Sequence, residues 1–287
     1  MKKLFVLTVA MLAVFILSFV YCVGDFCEEI PTFFAAGNNL RSEKDGFCYI
    51  VHAGGILWGR DNSDVYRGYK GSNSHDGLIQ CAKAAELSEG EYFVELDFCF
   101  TADGHLVCIH NWDSEYIAEI KNGRAMTVDE FLASRIYGKY EPLTLDALAE
   151  FLRTNDELTV VTDFKEDFER SVEHLRSAAG DLASRFVVQI YRPEQYDTAL
   201  EAGFSRIAYT LYTLDEEKTL DTGAHNKFAA NNRLEWIAVD KDLCENGKFV
   251  AEMLEIGVPI YVHTVNEHVE NYKRMGFDGV YTDNVRK

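Results

Sequence analysis

Glu95 and Asp97 lie two apart in the run Glu95-Leu96-Asp97-Phe98-Cys99-Phe100, and His110 follows the turn Thr101-Ala102-Asp103-Gly104. Alternation along a strand sets both carboxylates on one face. Two like charges held together repel unless a cation lies between them, and oxygen donors suit a hard one, Mg²⁺ or Ca²⁺. The Asp-Gly turn folds the chain back, so His110 closes a second short strand near the same point. Such a site can hold a metal and move a proton.

Asp163 offers a third oxygen ligand, and Lys165, two residues on, a charge for a phosphoryl oxygen. His52 is a second imidazole. The two rings can divide the work, one taking a proton from a nucleophile and the other protonating a leaving oxygen. The plainer alternatives are a rim network of paired carboxylates, hydrogen-bonded structural histidines and a solvated lysine. The stretch 59–73 is long, polar and glycine-rich, with Arg60, Arg67 and Lys70, and Trp58, Tyr66 and Tyr69 nearby. It reads as a substrate loop or as a mobile connection.

These residues need elements to hold them. Short β-rich runs at 49–52, 93–100, 159–163, 186–190, 206–210, 236–240, 259–264 and 279–282 alternate with helical patterns near 74–89, 144–153, 166–179, 193–202, 215–230, 243–256 and 267–275. Thr144 is a plausible N-cap, with Leu145, Leu148, Ala149 and Leu152 on one helical face. Eight strands with connecting helices predict an α/β fold, a (β/α)8 TIM barrel; a doubly wound sheet is the rival. In such barrels chemistry sits where strands end, and His52, His110, Asp163, Gln189, Tyr209, His263 and Asp283 fall at predicted strand ends. The chain stops soon after the eighth strand, so residues 28–45 are expected to cover the side that an eighth helix would occupy.

The 287 residues carry 28 basic and 47 acidic side chains, a net charge of −19. Without a basic stripe this balance excludes nucleic acid as a partner, and it keeps the protein soluble. Residues 4–23 are apolar apart from Thr8 and Ser18 and follow Lys2 and Lys3. Roughly 20 apolar residues suffice to span a bilayer. We therefore expect residues 1–24 to be a signal peptide or a signal-anchor helix, 25–47 an N-terminal extension and 48–287 the barrel, exported and either membrane-anchored or secreted. Seven cysteines contain no CxxC pair, which leaves zinc and redox motifs unsupported; a disulfide, with Cys27 one candidate, stays unassigned.

The ordered set of motifs resembles the glycerophosphodiester phosphodiesterase family, which is grouped with phosphatidylinositol-specific phospholipases C. Its pieces are His52-Ala53-Gly54-Gly55, Asn73-Ser74, Glu95-Leu96-Asp97, Thr101-x-Asp103-Gly104, Ile109-His110, Leu143-Thr144-Leu145, Asp163-Phe164-Lys165, His263-Thr264-Val265-Asn266 and Gly276-Phe277-Asp278-Gly279-Val280-Tyr281-Thr282-Asp283. The resemblance implies a divalent cation on Glu95, Asp97 and Asp163, with His52 and His110 as the acid–base pair. It also implies Lys165, Asn73 and His263 at the substrate, where the strand-end residue Gln189 is expected as well, and hydrolysis of small or lipid-derived phosphodiesters to a phosphomonoester and an alcohol. The attacking oxygen is then a neighbouring substrate hydroxyl, by way of a cyclic phosphate, or water.

Four positions depart from the family pattern. Ala53 stands where arginine is expected, with Arg60 or Arg67 as candidates to replace its phosphate contact. Asn111 stands for aspartate, Asp163 for glutamate and His263 for tryptophan. Segment 111–143 matches a short family insertion and is given no catalytic part. Two other readings remain: a phospholipase acting on intact lipid head groups, and a non-catalytic surface barrel that binds an anionic glycan or lipid head group. The lack of a large apolar run in 59–73 weighs against the first.

Overall fold

A computed structural model describes residues 46–60, 66–88 and 90–285. The expected export segment, the extension to residue 45 and its proposed cover for the barrel side therefore lie outside the described residues. The strands run β1 Cys48–Val51, β2 Leu57–Arg60, β3 Tyr66–Tyr69, β4 Tyr92–Phe100, β5 Leu106–Cys108, β6 Leu143–Thr144, β7 Leu158–Phe164, β8 Phe186–Ile190, β9 Ile207–Thr210, β10 Trp236–Asp240, β11 Ile260–His263 and β12 Gly279–Thr282. Eight of them pair in parallel in the order β1-β12-β11-β10-β9-β8-β7-β4, and β1 also pairs β4, which closes the barrel. These are the eight strands expected from the sequence, and closure excludes the doubly wound sheet.

Period-two alternation divides each strand between two cores. Ile50, Val161, Val187, Ala208, Trp236, Ala238, Tyr261 and Tyr281 fill the barrel interior, with Trp236 stacked on Tyr261 at 5.0 Å between ring centroids. The alternate residues, among them Val94, Leu96, Phe98, Val160 and Val188, face the helices.

The helices are α1 His75–Ala85, α2 Val128–Ala133, α3 Leu145–Leu152, α4 Phe168–Ala179, α5 Gln195–Glu201, α6 Glu216–Thr219, α7 Thr222–Asn231, α8 Gly247–Leu254 and α9 Val269–Met275. Thr144 caps α3 as expected, its hydroxyl accepting from Ala147 N at 3.2 Å. The expected helix over 215–230 is instead two, because the Asp221 carboxylate accepts from Ala224 N and starts α7 afresh.

The stretch 59–73 is not simply a loop. β2 and β3 form an antiparallel hairpin, and Leu57 and Tyr69 bury against Val107, Ile109, Trp112, Ile117, Phe131, Ile136 and Tyr140. The 111–143 insertion thus carries a small core of its own beside the mouth. Cys48, Cys81, Cys99, Cys108 and Cys244 are free thiols, and Cys22 and Cys27 lie outside the described residues. Among the described residues no helix is long and apolar enough to cross a membrane.

Candidate active site

Glu95 and Asp97 point into the barrel from β4, and Asp97 pairs in register with Asp163 of β7. All three side chains are buried, and each offers an oxygen within 4.8 Å of the others. Glu95 Oε2 accepts from Ala53 N at 2.8 Å, while buried Oε1 has no hydrogen-bond partner. Burial and the Asp97 charge push the Glu95 carboxyl up to about 8. Asp97 goes the other way. Burial raises it, but Lys165 and the two histidines outweigh that and hold it below the usual range. An orphaned oxygen in a buried set of hard donors fits a divalent cation.

Lys165 stands 2.7 Å from Asp97 Oδ1 and 2.8 Å from Asp163 Oδ2. The first contact is an ion pair off hydrogen-bonding geometry, since Asp97 Oδ1 makes no hydrogen bond. Burial opposes the ammonium charge, yet Asp97 and Asp163 hold it firmly protonated. Asp163 also accepts from Tyr191 Oη at 2.5 Å and Tyr212 Oη at 2.7 Å. Asn73, at the positive φ of 48°, donates Nδ2 to Asp97 Oδ2 at 2.7 Å and accepts from Asp97 N at 3.0 Å.

His52 follows β1, and its Nδ1 lies 2.8 Å from Asp283 Oδ1; its Nε2 lies 3.9 Å from Glu95 Oε2. Burial would lower this imidazole, but the Asp283 hydrogen bond and the Glu95 and Asp97 charges lift it to about 9. Burial also raises Asp283, which His52, Asn266 and Lys70 overcome and bring down to about 2. Asn266 secures Asp283 twice: Nδ2 donates to Oδ2 at 2.6 Å, and Oδ1 accepts the Asp283 N–H at 2.8 Å. His110 follows β5, half-buried, with Nδ1 at 3.2 Å from Asn111 Nδ2 and its ring 6.2 Å from that of Tyr116.

His263 lies at the same mouth, edge-on to His52 at 5.1 Å and stacked on Tyr212 at 5.7 Å. Burial, with the His52 and Lys165 charges, lowers it to about 3, so it is a neutral ring. Gln189 is placed differently from the expectation that it meets substrate. It is buried in the barrel, where its Oε1 accepts from Tyr281 Oη at 3.1 Å. The next residue in its layer, Tyr281, accepts in turn from Trp236 Nε1 at 2.9 Å, so Gln189 supports the floor of the site.

Sequence reading gives no role to Tyr191, Tyr212 or Asn266, and names Asp283 only as a strand-end residue and Lys70 only as a cation of the 59–73 stretch, although all of them touch the site. Asp283 carried a signal, lying two residues beyond Tyr281 on a strand whose inward column it continues. Lys70 carried none for this contact. It reaches Asp283 Oδ2, at 3.1 Å from Nζ, only because β3 returns over the mouth. Arg67, a candidate for the missing phosphate contact, lies over the Tyr69 ring at 4.8 Å instead.

No curated protein matches the sequence. Several solved structures share the fold. A glycerophosphodiester phosphodiesterase from Thermotoga maritima is 20% identical, with 83% of this chain and 94% of that one covered and a TM-score of 0.57. One from Parabacteroides distasonis is 17% identical, with 82% and 92% covered and a TM-score of 0.57. An Oleispira antarctica phosphodiesterase in complex with the product sn-glycerol-3-phosphate is 14% identical, with 82% and 92% covered and a TM-score of 0.55. The glycerophosphoryl diester phosphodiesterase family model matches residues 67–287, most of the chain and nearly all of the barrel. The chain belongs to the glycerophosphoryl diester phosphodiesterase family and is a phosphoric diester hydrolase.

Proposed function

We propose that the barrel mouth hydrolyses glycerophosphodiesters to a phosphomonoester and an alcohol, with a divalent cation, Mg²⁺ or Ca²⁺, on Glu95, Asp97 and Asp163 and with His52 and His110 as the proton carriers. The observation that carries this reading is the buried three-carboxylate set flanked by two imidazoles at one barrel mouth. The cation, when bound, supplies charge that draws electrons from the phosphoryl group.

The chain's own residues do the remaining work. Asp283 accepts from His52 Nδ1, which fixes the ring with Nε2 on the Glu95 side and favours its protonated form. Asn111 Nδ2 donates to His110 Nδ1, which fixes the orientation of that ring. The two rings take opposite parts, one removing a proton from the attacking oxygen and the other protonating the departing one. Lys165 and Asn73 hold Asp97 in place at the reacting centre.

The test is alcohol release from a panel of glycerophosphodiesters with Mg²⁺ or Ca²⁺, against the same reaction in EDTA. His110→Ala is expected to lower kcat by about 10²–10⁴-fold, the usual worth of a positioned acid or base, while metal binding and the melting temperature stay. Full turnover in EDTA removes the metal role, and wild-type rates in His110→Ala remove the acid–base assignment. Ala53 motivates a second reading, a barrel that binds an anionic head group without turning it over. Binding across the panel with no turnover would select it.

Export belongs to the same proposal. The apolar run 4–23 after Lys2 and Lys3 supports an exported barrel, tethered or released. N-terminal sequencing of the mature protein separates the two, and a barrel found only on the cytoplasmic side overturns export.

A further inference from the structure

The mouth is rich in carboxylates, yet its substrate is an anion. Glu95, Asp97, Asp163 and Asp283 all face it, in a protein of net charge −19. Lys165 is committed between Asp97 and Asp163. Ala53 offers only a methyl group, is buried, and sits beneath the returning hairpin: a Cβ added at Gly71 would stand 3.9 Å from Ala53 Cβ. The space that a long side chain at 53 would enter is thus roofed by the Lys70–Gly71 backbone.

Lys70 brings a cation to this place. Its Nζ lies 3.1 Å from Asp283 Oδ2, on the carboxylate whose other oxygen meets His52, and its side chain is still 58% exposed. An ammonium has three donors, and the exposure leaves room for more than the Asp283 contact. The backbone below it is tied down on both sides. Lys70 O accepts from Tyr137 Oη at 2.5 Å, and Gly71 O accepts from Asn73 Nδ2, the amide that also bonds Asp97. The hairpin end is therefore anchored both to the insertion and to the carboxylate set, which places its lysine beside Asp283 and His52.

We infer that Lys70 is the substrate-binding cation of this chain, its ammonium meeting a phosphoryl oxygen in place of any group at position 53. The inference rests on the phosphodiester reading of the site. It assigns the job to the hairpin, so affinity for the anion depends on an element outside the barrel strands.

The experiment compares wild type, Lys70→Met and Lys70→Arg in the full-length protein loaded with Mg²⁺. Steady-state kinetics on a glycerophosphodiester are read together with calorimetric titration of inorganic phosphate. Lys70→Met is expected to raise KM and the phosphate Kd by on the order of tenfold to a hundredfold, the range of a lost charged hydrogen bond, with kcat little changed. Lys70→Arg is expected to recover most of both. Unchanged KM and phosphate Kd in Lys70→Met overturn the inference. So does a fall in kcat with a shifted pH profile at unchanged phosphate affinity, which would make Lys70 a support for Asp283 and His52 only. If the wild type turns over no diester, the proposed reaction fails, and the phosphate titration alone still decides on Lys70.

Discussion

Asp97 shows how one carboxylate can be fixed from every side and still be available. Its backbone N–H and its Oδ2 are both taken by the same asparagine side chain, and its Oδ1 faces Lys165. Asn73 does this from a left-handed conformation, φ 48°, which asparagine tolerates better than most residues. Removing the Asp97 charge while keeping its shape isolates its part in the cation site. Asp97→Asn is expected to weaken Mg²⁺ and Ca²⁺ binding by about tenfold or more, since even supporting residues of metal sites cost that much. Calorimetric titration of both ions checks it, and a titration curve equal to that of the wild type would count against Asp97 as a ligand. The Glu95 Oε1 orphan makes the same point from the other direction, because a buried unpaired carboxylate oxygen is costly to leave without a cation.

At the scale of elements, the turn after β1 joins His52 to its partner Asp283. Gly55 N donates to His52 O at 2.8 Å, and Ile56 N to Asp283 O at 2.8 Å. Gly55 does so at φ 81° and ψ −176°, a conformation that belongs to glycine. A Cβ there would stand 2.5 Å from Val285 Cγ2 and 3.1 Å from Val51 Cγ1. Gly55→Ala is therefore expected to cost about 1–3 kcal/mol in urea unfolding and to lower turnover by moving His52, while metal titration is retained because β4 and β7 carry the proposed ligands. Loss of metal binding together with stability would show that the turn also supports the carboxylates. This turn was legible only as a His-x-Gly-Gly motif, without its geometry. The barrel strands were legible because alternation survives wherever one face meets the interior and the other a helix. The hairpin was not. Leu57-Trp58-Gly59-Arg60 and Tyr66-Arg67-Gly68-Tyr69 are glycine-interrupted and polar, and they pair because Leu57 and Tyr69 bury in a core supplied by residues 107–140. Long-range burial of that kind leaves no local pattern, and for the same reason Lys70 was legible as a cation of a substrate loop but not as the partner of Asp283.

Across the whole molecule the inward columns of the strands run from a structural end to a chemical end. On β7, Thr159, Val161 and Asp163 share one column, with Thr159 at the base and Asp163 at the mouth. The base is closed by an ionic clasp. Arg206, before β9, bonds Glu91 with Nη1 and, at 3.0 Å, with Nη2, which also meets Glu235 Oε2 at 3.1 Å; Thr159 Oγ1 donates to Glu91 as well. Residues beside β4, β7, β9 and β10 are thereby tied at the end where barrels keep stability rather than catalysis. Burial raises the Glu91 carboxyl, but the Arg206 and Thr159 hydrogen bonds outweigh it and hold it below the usual range. The folded protein thus binds that proton more weakly than the unfolded chain. The stability this gives is present above the unfolded carboxylate value of about 4.3 and is lost as pH falls through the lower folded one. Glu91 is 40% exposed, so the contribution is screened. Arg206→Met is expected to lower the melting temperature at pH 7 by about 2–4 °C, the shift that on the order of 1 kcal/mol produces in a domain of this size. The gap should narrow as pH falls below about 4, where the unfolded carboxyl protonates, and close as the folded Glu91 follows at lower pH. Circular-dichroism melts of the two proteins at pH 7 and pH 3 check the sign. An equal gap at both pH values would mean that Arg206 acts by packing its stem over Phe93, whose ring centroid lies 5.6 Å from the guanidinium carbon, and not through the Glu91 charge.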